Sequence, residues 1–159
     1  MAYQKFKLIL CDLGNVLLNF DHRIAVRRIQ NFTNKDFDDI YNLFFDSPLT
    51  LDFEEGRVSP KGFFHRVDQK LQLKNLKFND FIAIWNDIFF DNEGVIELLT
   101  TLKKKYRLHL ISNINELHYR HILKKFPRHL EVFDKLYLSY EVGHAKPARQ
   151  IFERALGLA

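Results

Sequence analysis

Phe6–Asp21 reads Phe-Lys-Leu-Ile-Leu-Cys-Asp-Leu-Gly-Asn-Val-Leu-Leu-Asn-Phe-Asp, and its first half decides the fold. Phe6–Cys11 is a short, mostly apolar run, the pattern of a strand buried on both faces, and it stops at Asp12, with Gly14-Asn15 close behind. Asp12 is thereby set at the carboxyl end of a buried strand. In open α/β sheets ligands bind at that edge, because loops leaving it converge on a crevice while the strands hold their starting points rigid. On this ground Asp12 is a site candidate. The competing reading is an aspartate that caps a turn, since Asp is common wherever a strand gives way to one.

The remaining composition is that of one soluble globular domain: 159 residues, 47% hydrophobic and 28% charged. A net charge of +4, from 24 Lys and Arg against 20 Asp and Glu, is too mild and too interspersed to argue for nucleic acid. Cys11 is the single cysteine, so an intramolecular disulfide is excluded and a buried, inert thiol in a reducing compartment is expected. No run has the length of a membrane span and the start lacks a signal-peptide pattern. The expectation is a cytoplasmic protein with no membrane partner.

Along the chain, Asp21 can cap a helix over His22–Gln30, and Thr33-Asn34-Lys35-Asp36 resembles a capping box opening a second helix that ends near Phe45. Asp46-Ser47-Pro48 breaks the pattern and Leu51–Val58 reads as a connection. Ser59-Pro60 starts a third helix, and a fourth is expected from Asp80 to Phe90. Helix Glu93–Lys105, capped from Asp91-Asn92, leads to a strand Arg107–Ile111 that ends in Ser112-Asn113. A helix from Asn115 to Phe126, a strand Asp134–Ser139, the segment Gly143-His144-Ala145-Lys146-Pro147 and a last helix near Leu156 follow. Alternating strands and helices imply a Rossmann-like three-layer α/β fold with a parallel sheet. Residues 20–91 form an inserted helical cap over its carboxyl edge, and residues 1–19 with 92–159 form the core.

Three strand ends thus deliver Asp12, Ser112 with Asn113, and Lys146 to one crevice. A carboxylate can attack phosphorus, Ser and Asn side chains can donate hydrogen bonds to phosphoryl oxygens, and a Lys ammonium can neutralise charge. This order of motifs resembles the haloacid dehalogenase (HAD) superfamily of hydrolases over essentially the whole chain. Asp12-Leu13-Gly14-Asn15-Val16, Ile111-Ser112-Asn113 and Glu55-Gly56-Arg57-Val58-Ser59 look most like its bacterial sugar-phosphate phosphatases of the alpha-D-glucose-1-phosphate phosphatase type. The resemblance implies a phosphatase that hydrolyses a small phosphorylated metabolite through an aspartyl-phosphate on Asp12. Ser112, Asn113 and Lys146 complete the catalytic set, and Mg²⁺ is held by Asp12 and the Gly14 carbonyl.

Two departures from the family pattern stand out. The aspartate that commonly lies two residues beyond the nucleophile, as general acid and base, is here Gly14, which suits a good leaving group such as an anomeric sugar oxygen. The family pattern also continues with a strand ending in further metal-binding aspartates, whereas this sequence stops at Ala159. The expectation is a C-terminally truncated core with an incomplete magnesium site: a fragment, a truncated gene product or the product of a decayed gene. In that arrangement Phe6–Cys11 forms an open sheet edge, through which the chain is expected to self-associate.

Weaker constellations remain. His118 and His121 lie three apart on a helix without a third ligand, so surface or packing histidines are expected. A Ser112, His144, Asp12 triad lacks a Gly-x-Ser-x-Gly elbow. The cap aromatics, among them Phe44, Phe63 and Trp85, read as core. Two other functions stay open: a dehalogenase using the same aspartate, and a non-catalytic binding module.

Overall fold

The opening apolar run forms β1, Leu8–Cys11, in a computed structural model that describes residues 6–157. It pairs in parallel with β4 (Arg107–Ser112), which pairs in parallel with β5 (Lys135–Leu138), giving the order β1-β4-β5. Cys11 stands level with Leu110, and Ser112 with Leu138, so the three strands end close together. Side chains alternate along β4 as the pleat requires. Leu108 and Leu110 pack on α6 (Val95–Lys103), while Ile111 packs with Ile151 and Ala155 of α10 (Arg149–Leu156). The result is a three-layer α/β/α core. β1 has one strand neighbour among the described residues, and Leu8, Ile9 and Leu10 are half-buried rather than buried on both faces as the sequence suggests.

The insert begins and ends in a short antiparallel ribbon. β2 (Leu18–Phe20) pairs with β3 (Phe89–Asp91), Phe20 opposite Phe89. Neither strand was expected, and the fourth helix, α5 (Phe78–Asn86), stops before Phe90 because the chain must extend to form β3. Asp21 caps α1 (His22–Ile29), its carboxylate accepting from Arg23 N at 3.0 Å. The capping box is a correction: Asp36, not Thr33, caps α2 (Phe37–Phe45), and the Thr33 hydroxyl donates to the Leu71 carbonyl. Leu51–Val58 is a second one, since its first half belongs to α3 (Pro48–Glu54). Pro48 occupies the first turn, where its missing N–H costs nothing, so Ser47-Pro48 starts a helix just as Ser59-Pro60 starts α4 (Pro60–Leu71). These helices close around Phe44, Phe53, Phe63, Phe81 and Trp85, all essentially inaccessible. Phe53 and Phe63 stack at 4.3 Å and Phe44 meets Trp85 edge-on at 4.9 Å, arrangements worth roughly 0.5–1.5 kcal/mol each beyond area burial.

Gly94, with φ +83°, begins α6 in place of the expected Asp91-Asn92 cap, and the Asn92 amide instead donates to Val16 O at 2.7 Å. Asn115 caps α7 (Glu116–Lys125), accepting from His118 N at 3.0 Å. Pro127 opens a short α8 (Pro127–Glu131), and Ser139, read as the end of a strand, is the first residue of α9 (Ser139–Val142). No helix among the described residues is long and apolar enough to cross a membrane.

Candidate active site

Asp12 leaves β1 directly above the sheet edge. Its Oδ1 accepts from Leu13 N at 2.7 Å and from Lys146 Nζ at 2.8 Å, and its side chain is 43% exposed. The Lys146 ammonium also donates to Ile111 O at 3.2 Å, so it is strung between the ends of β1 and β4. Asn113 fixes the backbone behind it: Lys146 N donates to Asn113 Oδ1 at 2.6 Å, and Asn113 Nδ2 donates to Lys146 O at 2.9 Å. Ser112 is 1% exposed, its hydroxyl directed to Asn113 O at 3.3 Å. The structure therefore brings Asp12, Ser112, Asn113 and Lys146 to one sheet edge. Two expected roles differ from the geometry: the Ser112 hydroxyl faces a backbone carbonyl, and one hydrogen of the Asn113 amide is spent on Lys146.

After Asp12 the chain folds into a tight loop. Leu13 O accepts from Leu17 N at 2.8 Å and Leu18 N at 3.0 Å. Asn15 adopts φ +54°, a conformation that Asn tolerates, and its side chain accepts from Phe20 N at 3.2 Å. Gly14 is required by its neighbour, because a Cβ there would stand 2.5 Å from Phe20 Cε1.

Beside Gly14 lies a cavity of about 70 Å³, lined by Leu13, Gly14, Phe20, His22, Glu54 and Asn113 among others. A larger one of about 560 Å³ lies between α1, the end of α2 and α3, where His22, Asp46, Thr50 and Glu54 contribute polar groups. His22 and Glu54 line both. Burial pushes the His22 imidazole down to about 4, keeping it neutral, and it stacks on Phe45 at 3.8 Å. Burial, with the neighbouring Glu55 carboxylate second, pushes the Glu54 carboxyl up to about 7.

The segment carrying Glu54 is tied to the core. Ser139 Oγ, fully buried, lies 2.5 Å from Glu54 O as donor and accepts from Ile114 N at 2.9 Å. Glu55 Oε1 accepts from Ala145 N at 2.9 Å, and its other oxygen pairs with Arg57 at 2.5 Å. Gly56 has φ +70°, and any Cβ would strike the Tyr140 carbonyl oxygen. Glu54, His22 and Ser139 were not singled out from the sequence. The Glu55-Gly56-Arg57 phrase was the nearest signal, and it marks this junction.

The histidine pair is structural in His118, which is buried with Nε2 3.0 Å from Trp85 O and Nδ1 3.1 Å from Asn115 Nδ2. Nε2 donates to the carbonyl, so Nδ1 accepts. Among the described residues no group of three or more His, Cys, Asp or Glu could hold a metal ion. Cys11 is buried and its thiol is pushed up to about 11, first by desolvation, which makes it inert.

D-ribitol-5-phosphate phosphatase of Bacteroides thetaiotaomicron is 27% identical over 153 residues, covering 92% of this chain and 74% of that protein. Pyrimidine 5'-nucleotidase YjjG of Escherichia coli is 28% identical over 163 residues, covering 96% and 71%. The crystal structure of the HAD family enzyme bt-2542 from Bacteroides thetaiotaomicron, in complex with magnesium and inorganic phosphate, superposes with a TM-score of 0.83 at 29% identity, covering 96% of this chain and 78% of that one. The family model for haloacid dehalogenase-like hydrolases matches residues 6–158, and the chain, a hydrolase, belongs to that family.

Proposed function

We propose that the protein is a phosphatase of small phosphate esters, sugar or polyol phosphates foremost, working through an aspartyl-phosphate on Asp12. The observation that carries the reading is the Asp12–Lys146 pair. Lys146 and Leu13 N both engage Oδ1, which orients the carboxylate and leaves Oδ2, with no hydrogen bond among the described residues, as the attacking atom. The ammonium then stands beside the phosphoryl group, where it stabilises developing negative charge. Ser112 and Asn113 hold the loops that shape the pocket, and the second Asn113 amide hydrogen remains available to a phosphoryl oxygen.

Two relatives are phosphatases of a pentitol phosphate and of nucleotides by name, which supports a small phosphorylated metabolite as substrate. Residues 20–91 serve as the cap that selects it. Magnesium fits this site only in part. Asp12 and the Gly14 carbonyl would hold it, with water and substrate phosphate supplying other oxygens, as this ion accepts. Bound there, it would neutralise charge on the phosphoryl oxygens. The lone cysteine and the absence of a spanning helix among the described residues are compatible with a cytoplasmic setting.

The test is phosphate release from a panel of sugar, pentitol and nucleoside monophosphates with magnesium present, beside halide release from 2-haloacids. Phosphate release that Asp12→Asn abolishes is expected, because an amide is not a competent nucleophile. Turnover retained in that variant overturns the aspartyl-phosphate route, and halide release without phosphate release favours a dehalogenase. Ester binding without turnover favours a binding module.

A further inference from the structure

The phosphatase reading leaves one chemical requirement unassigned. An alkoxide leaving group needs a proton, and position 14, two residues beyond the nucleophile, carries none to give. Nor is there room to add one, since Phe20 stands where a side chain at position 14 would start. The question is what else in the crevice can hold a transferable proton.

Three titratable side chains line the cavity beside Gly14: His22, His118 and Glu54. His118 has both ring nitrogens committed, to Asn115 and to Trp85 O. His22 stacks against Phe20 and Phe45, where burial disfavours the imidazolium. Glu54 differs from both. It ends α3 and is the acid that lines both this cavity, which touches the Gly14 loop and Asn113, and the larger one between α1, α2 and α3. Its backbone is fixed to the end of β5 through Ser139, on the segment that leads to Lys146.

We propose that Glu54 is a catalytic residue, delivering a proton from the cap side to the leaving oxygen and later taking one from the attacking water. This rests on the phosphatase reading and deepens it. In the first step Asp12 Oδ2 forms a bond to phosphorus and the bond from phosphorus to the ester oxygen breaks. The electron pair goes to that oxygen, which takes the Glu54 proton and departs as the alcohol. In the second step the Glu54 carboxylate takes a proton from water as the water oxygen bonds to phosphorus. The Asp12–phosphorus bond breaks, inorganic phosphate leaves, and both carboxyl groups return to their starting states.

The charged and titratable surroundings are consistent with this cycle. Glu55 on the same segment pairs with Arg57, and its carboxylate disfavours a second charge on Glu54. From other elements, Asp46 after α2 shares the larger cavity, His22 of α1 and His118 of α7 are neutral, and Tyr140 and Glu141 of α9 hydrogen-bond to each other. With its carboxyl near 7, Glu54 can both give and take a proton at neutral pH.

The test compares two esters on the 159-residue chain with magnesium: a pentitol phosphate, whose alkoxide needs a proton, and p-nitrophenyl phosphate, whose nitrophenolate leaves without one. In single-turnover release of the alcohol or nitrophenolate, which isolates the first step, Glu54→Gln is expected to lose about 10²-fold or more on the first and at most about tenfold on the second, and to lose the fall in the pentitol phosphate rate as pH rises through about 7. Equal loss on both esters, or an unchanged pH profile, overturns the proposal. Should Glu54→Gln melt well below the parent, the same ratio is read on Glu54→Asp. Independently of turnover, the Glu54 carboxyl is titrated by ¹³C NMR. A midpoint near neutrality is expected, and one in the ordinary carboxylate range overturns the assignment. If the parent releases phosphate from neither ester, the phosphatase reading fails by itself.

Discussion

Asn113 grips Lys146 through two hydrogen bonds, its Oδ1 accepting from Lys146 N at 2.6 Å and its Nδ2 donating to Lys146 O at 2.9 Å. A side chain at the end of β4 therefore fixes the backbone of the residue whose ammonium reaches Asp12. Asn113 itself is exposed, so its removal exposes no buried partner. Asn113→Ala is expected to lower the rate of phosphate release about tenfold to 10²-fold while costing only about 1 kcal/mol of stability. Paired kinetics and thermal melts check the separation, and a large loss of stability with an unchanged rate contradicts it.

Gly56, just after α3, lies against the backbone of Tyr140 in α9. Its φ of +70° and the Tyr140 carbonyl both exclude a side chain. Gly56→Ala is expected to cost about 2–4 kcal/mol, combining backbone strain with overpacking, and denaturant unfolding measures it. A change within about 0.5 kcal/mol shows that the contact yields freely.

Stability depends on pH in two opposing ways. Burial holds His22 near 4 when folded, so between about 6.5 and 4 the unfolded chain binds a proton that the folded chain refuses. Stability therefore falls as pH drops through that window, by up to about 3 kcal/mol for this residue, and His118, held near 3, adds to the fall. Glu54 works in reverse. Its folded carboxyl keeps a proton up to about 7 that the unfolded chain releases near 4.5, so its contribution is lost as pH rises between those values. Denaturant melts from pH 4 to 8 should show His22→Phe flattening the acid side and Glu54→Gln flattening the fall above pH 5. An acid side unchanged by His22→Phe contradicts the first claim.

Among the described residues β1 has β4 on one side and no strand on the other. An apolar strand edge of that kind pairs readily with another chain, and we propose that β1 joins a second copy. Light scattering is expected to show mass rising with concentration. A constant monomer mass over a wide concentration range rules this out.

The parts of the site legible in the sequence are those where a buried run stops at a polar residue: Asp12 after Cys11, Ser112-Asn113 after Ile111, and Lys146 ahead of a proline. Each is a local signal, and strand period and strand end are local properties. α3 was hidden because Ser47-Pro48 reads equally as a breaker and as a first turn, and only the packing of Leu49 and Phe53 against Phe44, Phe63 and their neighbours decides between them. β2 and β3 are three residues each, too short for a period to show. Glu54 was invisible for another reason. Its proton affinity comes first from burial, which nothing in the local sequence shows, and only second from the adjacent Glu55 carboxylate.

The contact between Gly14 and Phe20 also bears on how such a site can change over generations. A carboxylate at position 14 needs the ring at position 20 to shrink or turn aside, and that ring also packs against His22 and Phe89. The two positions are therefore bound in one evolutionary bargain: Gly14→Asp alone meets a wall, and a smaller residue at 20 alone opens a hole with nothing to fill it. Acid–base help at the leaving oxygen is therefore more easily supplied from elsewhere in the fold than built at position 14 by one substitution.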